Sequence, residues 1–144
     1  MKTENSVKVF LVDDDALYLK LLEMEFLASA DFIIETYATG ELCVANLQNE
    51  PDLIILDYIL DNVDKNAMNG IDTLDKIKEY NPDIPVIILS AQDKIEVAID
   101  CMHHKATDYV VKSETAYFRL TKIIKSVLQF RKVEKELNWY MNRM

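Results

Sequence analysis

The sequence is poor in the residues that mark fibrous, low-complexity or covalently braced chains. Its 144 residues include two glycines, three prolines, two cysteines and one tryptophan. So little glycine and proline excludes collagen-like and linker-like compositions. Two cysteines, Cys43 and Cys101, cannot form a disulfide scaffold, and we interpret both as reduced core residues. No apolar run approaches the roughly 20 residues of a membrane-spanning helix, so no membrane contact is predicted.

The N-terminus and the net charge argue against two further classes of protein. The first six residues are polar and lack the apolar segment of a secretory signal peptide, which predicts a cytoplasmic location. A formal net charge of −9 disfavours direct nucleic-acid binding, because the phosphate backbone repels an acidic surface. What the sequence does contain is 50% hydrophobic residues, enough for a single domain with one hydrophobic core.

Short apolar runs alternate along the chain with segments of helical periodicity. The five predicted strands are Val7–Val12, Phe32–Tyr37, Leu53–Leu56, 86–89 and 107–111. The five predicted helices are 16–29, 40–48, 71–80, 94–102 and a long segment from about Ser113. The apolar positions at helical spacing in the first helix are Leu17, Leu21, Met24 and Ala28. Strands that are apolar on both faces and alternate with helices predict a parallel sheet covered by helices on both sides.

Polar residues follow several of these strands directly. They are Asp13, Asp14 and Asp15 after the first strand, Asp57 after the third, Ser90 after the fourth and Lys112 after the fifth. Ligands bind beyond the carboxyl ends of strands in open parallel sheets, so these side chains are the candidate site. Neighbouring carboxylates repel one another unless a cation neutralises them, and an all-oxygen ligand set favours Mg²⁺. Asp57 is a candidate nucleophile for a phosphoryl group, with Lys112 and Ser90 as donors to it.

Four motifs stand in order along the chain. They are LVDDD at 11–15, PDLIILDYIL at 51–60, PVIILSA at 85–91 and DYVVKS at 108–113. Together they make the chain resemble the receiver domain of bacterial two-component response regulators, from about Val7 to about Val127. The resemblance implies a flavodoxin-like, five-stranded parallel sheet in the order 2-1-3-4-5, flanked by five helices.

The resemblance also implies a function and a role for each site residue. The implied function is a phosphorylation-activated signalling switch, not an enzyme, that accepts a phosphoryl group from a histidine kinase or a phosphotransfer protein on Asp57. The implied ligands of Mg²⁺ are Asp13, Asp14, Asp57 and the backbone carbonyl of Ile59. Ser90 is implied as the switch hydroxyl and Lys112 as the lysine that pairs with the phosphoryl group. Tyr109 is implied as the aromatic residue that turns inward when Ser90 moves.

The sequence departs from the family pattern at three places. Asp61 replaces a usual proline, and Gly70 stands 13 positions after Asp57 (70 − 57), which implies a five-residue insertion in the polar segment 61–69, here named the rim loop. We interpret it as a tolerated surface insertion, with shielding of the site or contact with a partner as the alternative. Ser113 replaces the proline that usually follows the lysine in a cis peptide bond. An apolar Ile59 cannot orient a water molecule, which predicts a long-lived phosphorylated state.

The last helix is longer than a receiver domain needs. Its apolar stripe is formed by Leu120, Ile123, Val127, Phe130, Val133, Leu137 and Tyr140. We therefore predict a receiver domain at 1–128 and a C-terminal extension at 129–144 that projects to meet a second copy, a partner helix or a following domain. The alternative is a helix that folds back on its own domain. The resemblance implies a second homodimer surface, formed by the fourth helix, fifth strand and fifth helix.

Other interpretations of the same residues remain open. Asp13, Asp14 and Asp15 also suit a turn with a helix N-cap, Ser90 suits a structural cap, and Tyr109 suits ordinary packing. An aspartate-nucleophile phosphotransferase or phosphatase would share the Mg²⁺ and the acyl phosphate, but it would need a general acid and a substrate cap. A receiver-like interaction domain that takes no phosphate is the third alternative.

Overall fold

The computed structural model describes residues 6–143, so residues 1–5 and Met144 lie outside it, with the predictions that fall on them. The strands are β1 (Val7–Val12), β2 (Phe32–Tyr37), β3 (Leu53–Leu56), β4 (Val86–Ser90) and β5 (Asp108–Val111). The helices are α1 (Ala16–Leu27), α2 (Gly40–Ala45), α3 (Gly70–Tyr80), α4 (Ile95–His103) and α5 (Ala116–Arg143). All strand pairs are parallel, in the order β2-β1-β3-β4-β5. The predicted fold class is confirmed.

The sheet separates two hydrophobic cores because successive side chains of a strand point to opposite faces. In β3, Ile54 and Leu56 enter one core, while Leu53 and Ile55 enter the other. Each face is covered by helices, as the continuous apolar runs predicted. The first core also holds Cys43 and Cys101, which are free and buried. None of the helices within residues 6–143 is both long enough and apolar enough to cross a membrane.

The second helix is shorter than the predicted 40–48. It ends at Ala45, and a separate 3-10 turn covers Leu47–Asn49. Asn46 interrupts the helix because its backbone leaves the helical region (φ −113°, ψ 14°). Its side-chain amide donates to the carbonyl of Leu42 at 2.7 Å. Such bonds from an asparagine side chain to nearby backbone compete with helix continuation.

The helix α1 is confirmed, but the apolar positions whose spacing predicted it face solvent and not the core. Leu17, Leu21 and Met24 are 70%, 52% and 58% exposed. The buried face is formed by Leu19, Leu22 and Phe26. The helix is apolar nearly all round, so periodicity alone does not select a face. Edge-to-face packing of the Phe26 ring, 5.0 Å from the rings of both Phe32 and Tyr117, fixes the orientation.

The first half of α5 packs on the sheet through the buried side chains of Leu120 and Ile124. Farther along, the guanidinium of Arg131 donates to the carbonyl of Asp52 at 3.1 Å, so the helix still touches the domain beyond the predicted boundary at 128. Residues 132–143 are exposed on every face of the helix.

Candidate metal centre at the carboxyl edge of the sheet

Two neighbouring strands deliver buried carboxylates to the same edge of the sheet. Asp13 follows β1 and Asp57 follows β3, and the strands are held in register by a 2.9 Å hydrogen bond from the Asp57 N–H to the carbonyl of Val12. The two residues are only 5% and 6% exposed. Asp14, half-buried, lies beside them. One carboxylate oxygen from each of Asp13, Asp14 and Asp57, here named the acid cluster, lies within 4.8 Å of the others.

Lys112 is the cation that reaches into the acid cluster. It follows β5, two strands away from β3, and its N–H donates to the carbonyl of Ser90 at 2.8 Å. Its long side chain spans the remaining distance, so that Nζ lies 2.8 Å from Asp13 Oδ2 and 3.4 Å from Asp57 Oδ2. Nζ also lies 4.3 Å from the centroid of the Tyr18 ring, a cation–π contact that the sequence did not predict. The described residues contain no cis peptide bond, so Lys112–Ser113 is trans.

The charges of the site are only partly compensated. Burial and the nearby charge of Asp13 raise the pKa of Asp57 to about 7, although Lys112 acts in the opposite direction. Burial alone would lower the pKa of Lys112, but its bonds and charge interactions with Asp13 and Asp57 raise it overall. A single ammonium group therefore faces three carboxylates, and the excess negative charge favours a further cation.

The donor set fits Mg²⁺. All three side chains offer hard oxygen ligands, and one or two carboxylates with several waters are the usual protein site for this ion. Asp57 Oδ1 accepts a long hydrogen bond of 3.4 Å from the N–H of Ile59, which places the backbone of Ile59 next to the acid cluster. Whether the Ile59 carbonyl completes the ligand set stays a prediction.

Asp15 and Asp14 accept hydrogen bonds from different segments of the backbone, and this distinguishes their roles. The carboxylate of Asp15 accepts from the N–H of Tyr18 at 3.1 Å and is the N-cap of α1. Asp15, one of the polar residues that follow the first strand, is thus the capping residue of α1. Asp14 Oδ2 accepts from the N–H groups of Asn62 and Val63 in the rim loop, at 2.9 and 3.2 Å. Sequence reasoning placed the rim loop at the edge of the site but missed this contact, because its donors are backbone groups.

Ser90 and Tyr109 meet through a shared segment. Ser90, which is almost completely buried at the end of β4, accepts at Oγ from the N–H of Gln92 at 3.1 Å. The hydroxyl of the half-buried Tyr109 donates to the carbonyl of Gln92 at 2.6 Å. The two predicted switch residues are therefore connected through residue 92.

Comparison with known proteins agrees with this geometry. The response regulator receiver domain family matches residues 9–125. The regulatory protein LuxO of Vibrio cholerae is 32% identical over 100 residues, which cover 69% of this chain and 21% of LuxO. A protein-glutamate methylesterase/protein-glutamine glutaminase of Treponema pallidum is 34% identical over 126 residues, which cover 83% of this chain and 30% of that protein. The chain thus spans less than a third of either relative.

Two solved structures share the fold over most of the chain. The signal receiver domain of a Luxo repressor protein from Vibrio parahaemolyticus is 26% identical, with a TM-score of 0.77 over 92% of this chain and 97% of that one. A chain of the CheX–CheY–BeF3–Mg²⁺ complex from Borrelia burgdorferi is 28% identical, with a TM-score of 0.74 over 85% of this chain and 89% of that one. With its sheet order, its acid cluster and the match over residues 9–125, the chain belongs to the response regulator receiver domain family.

Proposed function

We propose that this chain works as a phosphorylation-activated switch in which Asp57 accepts a phosphoryl group from a histidine kinase or a phosphotransfer protein. The observation that carries the proposal is the buried Asp57 carboxylate, which lies in the acid cluster with the Lys112 ammonium 3.4 Å away. Such a donor obtains its phosphoryl group from ATP, which is consistent with the predicted cytoplasmic location. The chain then acts as a signalling acceptor and not as an enzyme with turnover of external substrates.

The site residues divide the chemistry between them. An oxygen of Asp57 attacks the phosphorus atom, the bond from phosphorus to the donor histidine nitrogen breaks, and an acyl phosphate forms on Asp57. Asp13, Asp14, Asp57 and the Ile59 carbonyl would hold Mg²⁺, which would supply positive charge to neutralise the transferring oxygens. Lys112, already paired with Asp57, supplies a donor for a phosphoryl oxygen once the group is attached. The related complex from Borrelia burgdorferi contains Mg²⁺ and BeF3, which is consistent with Mg²⁺ as the cation proposed for this chain.

The switch step uses the connection through residue 92. When Ser90 Oγ turns to a phosphoryl oxygen, it must release the N–H of Gln92, to which it is now bonded. Tyr109 is bonded to the carbonyl of Gln92, so it loses or changes that partner in the same movement. The change reaches the surface formed by α4, β5 and α5. There α4 presents an exposed apolar row, Ile95, Ile99 and Met102, which suits docking of an output partner or a second copy.

The C-terminal extension is proposed as a second contact surface. The predicted division into a receiver domain at 1–128 and an extension at 129–144 is supported by the exposure of residues 132–143. Exposed apolar residues along this segment include Phe130, Val133, Leu137, Trp139 and Tyr140. A helix that leaves such side chains in water gains stability by pairing with another helix. We propose a second copy of this chain as that partner, or a following domain as the next alternative.

Phosphorylation by a small donor tests the function directly. Incubation with acetyl phosphate and Mg²⁺ is expected to add the mass of one phosphoryl group to the wild-type chain and none to Asp57→Ala. Chelation of Mg²⁺ with EDTA is expected to suppress the addition. A wild-type chain that stays unmodified, or an Asp57→Ala chain modified to the same extent, would contradict the proposal.

A further inference from the structure

The rim loop is a folded segment that is held at both ends. At its far end, the N–H of Met68 donates to the carboxylate of Glu41 in α2 at 2.9 Å. The loop then closes at Gly70, whose N–H donates to the carbonyl of Tyr58 at 3.1 Å and where a side chain would collide with the backbone of Asp57 and Tyr58. A surface insertion that the fold merely tolerates would not need these contacts.

At its near end the rim loop holds a residue of the acid cluster. The N–H groups of Asn62 and Val63 converge on one oxygen, Asp14 Oδ2, at 2.9 and 3.2 Å. These contacts join residues 48 and 49 positions apart in sequence. Two donors on one oxygen restrict the rotation of the carboxylate and leave its other oxygen, Oδ1, for further partners. The Asp14 side chain is therefore oriented by the loop and not by its own strand.

We propose that the rim loop is a positioning element for the cation site: its two N–H groups orient Asp14 for the cation, and the bound cation in turn orders the loop. Hydrogen-bond partners that orient a metal ligand commonly contribute about 10- to 100-fold to metal affinity. Thermodynamic linkage makes the effect reciprocal, so any factor by which the loop strengthens cation binding is also the factor by which the cation stabilises the loop. The inference rests on the proposed Mg²⁺ site.

Proline substitutions remove the two N–H groups one at a time. Asn62→Pro and Val63→Pro each lack one donor, whereas the matched controls Asn62→Ala and Val63→Ala change the side chain and keep the N–H. Among the described residues, the non-glycine positions with positive φ are Glu50 and Lys105, so neither proline is forced into a left-handed backbone. Both side chains are exposed, and the alanine controls should therefore leave the fold intact.

Calorimetric titration of the full chain with MgCl₂ gives the first measurement. The dissociation constant is expected to rise about tenfold for each proline variant. It is expected to stay within about twofold of wild type for each alanine control, since the donor is kept. Circular dichroism of each variant checks that the fold is kept.

Hydrogen exchange of the rim loop gives a measurement that a purely structural role would not move. Adding Mg²⁺ is expected to slow amide exchange in peptides covering the rim loop of the wild-type and alanine chains, and to slow it less in the proline variants. If the wild-type chain binds Mg²⁺ but the proline variants match their alanine controls in affinity and exchange, the positioning role is overturned while the proposed function stands. If the wild-type chain binds no Mg²⁺, the proposed function fails, and the inference fails with it.

Discussion

At the scale of single residues, the fold makes ionisation of the Asp57 carboxyl group unfavourable. Its carboxylate is buried beside Asp13, which raises its pKa to about 7 from an ordinary value of 3.8. An acid with a raised pKa in the folded state binds a proton that the unfolded chain has already lost. Cation binding removes this cost, and the ionised form is the one that attacks a phosphorus atom.

This shift predicts how stability depends on pH in the absence of metal. Between about pH 4 and about pH 7 the free energy of unfolding should fall as pH rises, by at most about 1.4 kcal/mol per pH unit from this group. Asp57→Asn does not titrate there, so its stability relative to wild type should increase across the same interval and level off above it. Urea unfolding in EDTA from about pH 5 to about pH 8 measures both curves. Parallel curves for the two chains would contradict the assignment.

Ile59 sets the lifetime of the phosphorylated state in our interpretation. The residue is half-buried next to Asp57 and offers no polar group to an attacking water. Ile59→Asn should therefore speed loss of the phosphoryl group, by about tenfold, which is less than a full general base contributes. Intact mass followed over time after removal of acetyl phosphate measures the rate, with Ile59→Val as the apolar control. An unchanged rate in Ile59→Asn would show that Ile59 does not control hydrolysis.

At the scale of elements, α1 shows that a helix can be predicted while its buried face is not. Leu21 and Leu22 are neighbours in sequence, but Leu21 is exposed and Leu22 is buried against the second core. Leu22→Ala should lower the free energy of unfolding by about 2–5 kcal/mol, because it leaves a cavity. Leu21→Ala should change it by less than about 0.5 kcal/mol, as expected for an exposed helical position. Chemical denaturation of both variants checks the pair, and equal losses would mean that the assigned faces are wrong.

The difference between what a sequence pattern fixes and what depends on packing also explains which parts of the site could be predicted. Strand ends are fixed by short apolar runs, so the positions of Asp13, Asp57 and Lys112 at one edge of the sheet follow from the sequence pattern. The rim loop has no such periodicity. Its hydrogen bonds to Asp14 come from backbone N–H groups, which any residue except proline would supply. The cation–π contact from Tyr18 was likewise unpredicted, because α1 is apolar on both faces and its rotation depends on packing with distant rings.

At the scale of the whole molecule, the end of α5 stays exposed, and packing within a single receiver domain does not account for it. Removal of residues 132–144 should leave the free energy of unfolding within about 0.5 kcal/mol of the full chain's value, since residues 132–143 are all exposed. The full chain should form dimers when phosphorylated, and the truncated chain should remain monomeric or associate more weakly. Light scattering after size-exclusion chromatography, with and without acetyl phosphate, measures both. Equal dimerisation of the two chains would place the contact elsewhere.

The hydrogen bond of Arg131 also bears on how α5 can tilt relative to the sheet. The helix runs without interruption from Ala116 on the sheet to Arg143 in solvent, and Arg131 ties it to the carbonyl of Asp52 between these ends. We interpret this hydrogen bond as a fulcrum about which the helix can tilt, with a helical arm of about 18 Å beyond it. A tilt of about 10° at the fulcrum displaces the tip by about 3 Å at that arm length. The arm from Arg131 back to Ala116 is of similar length, about 22 Å, so a tilt about this point carries a displacement at the base of the helix to its tip at nearly the same size and in the opposite direction.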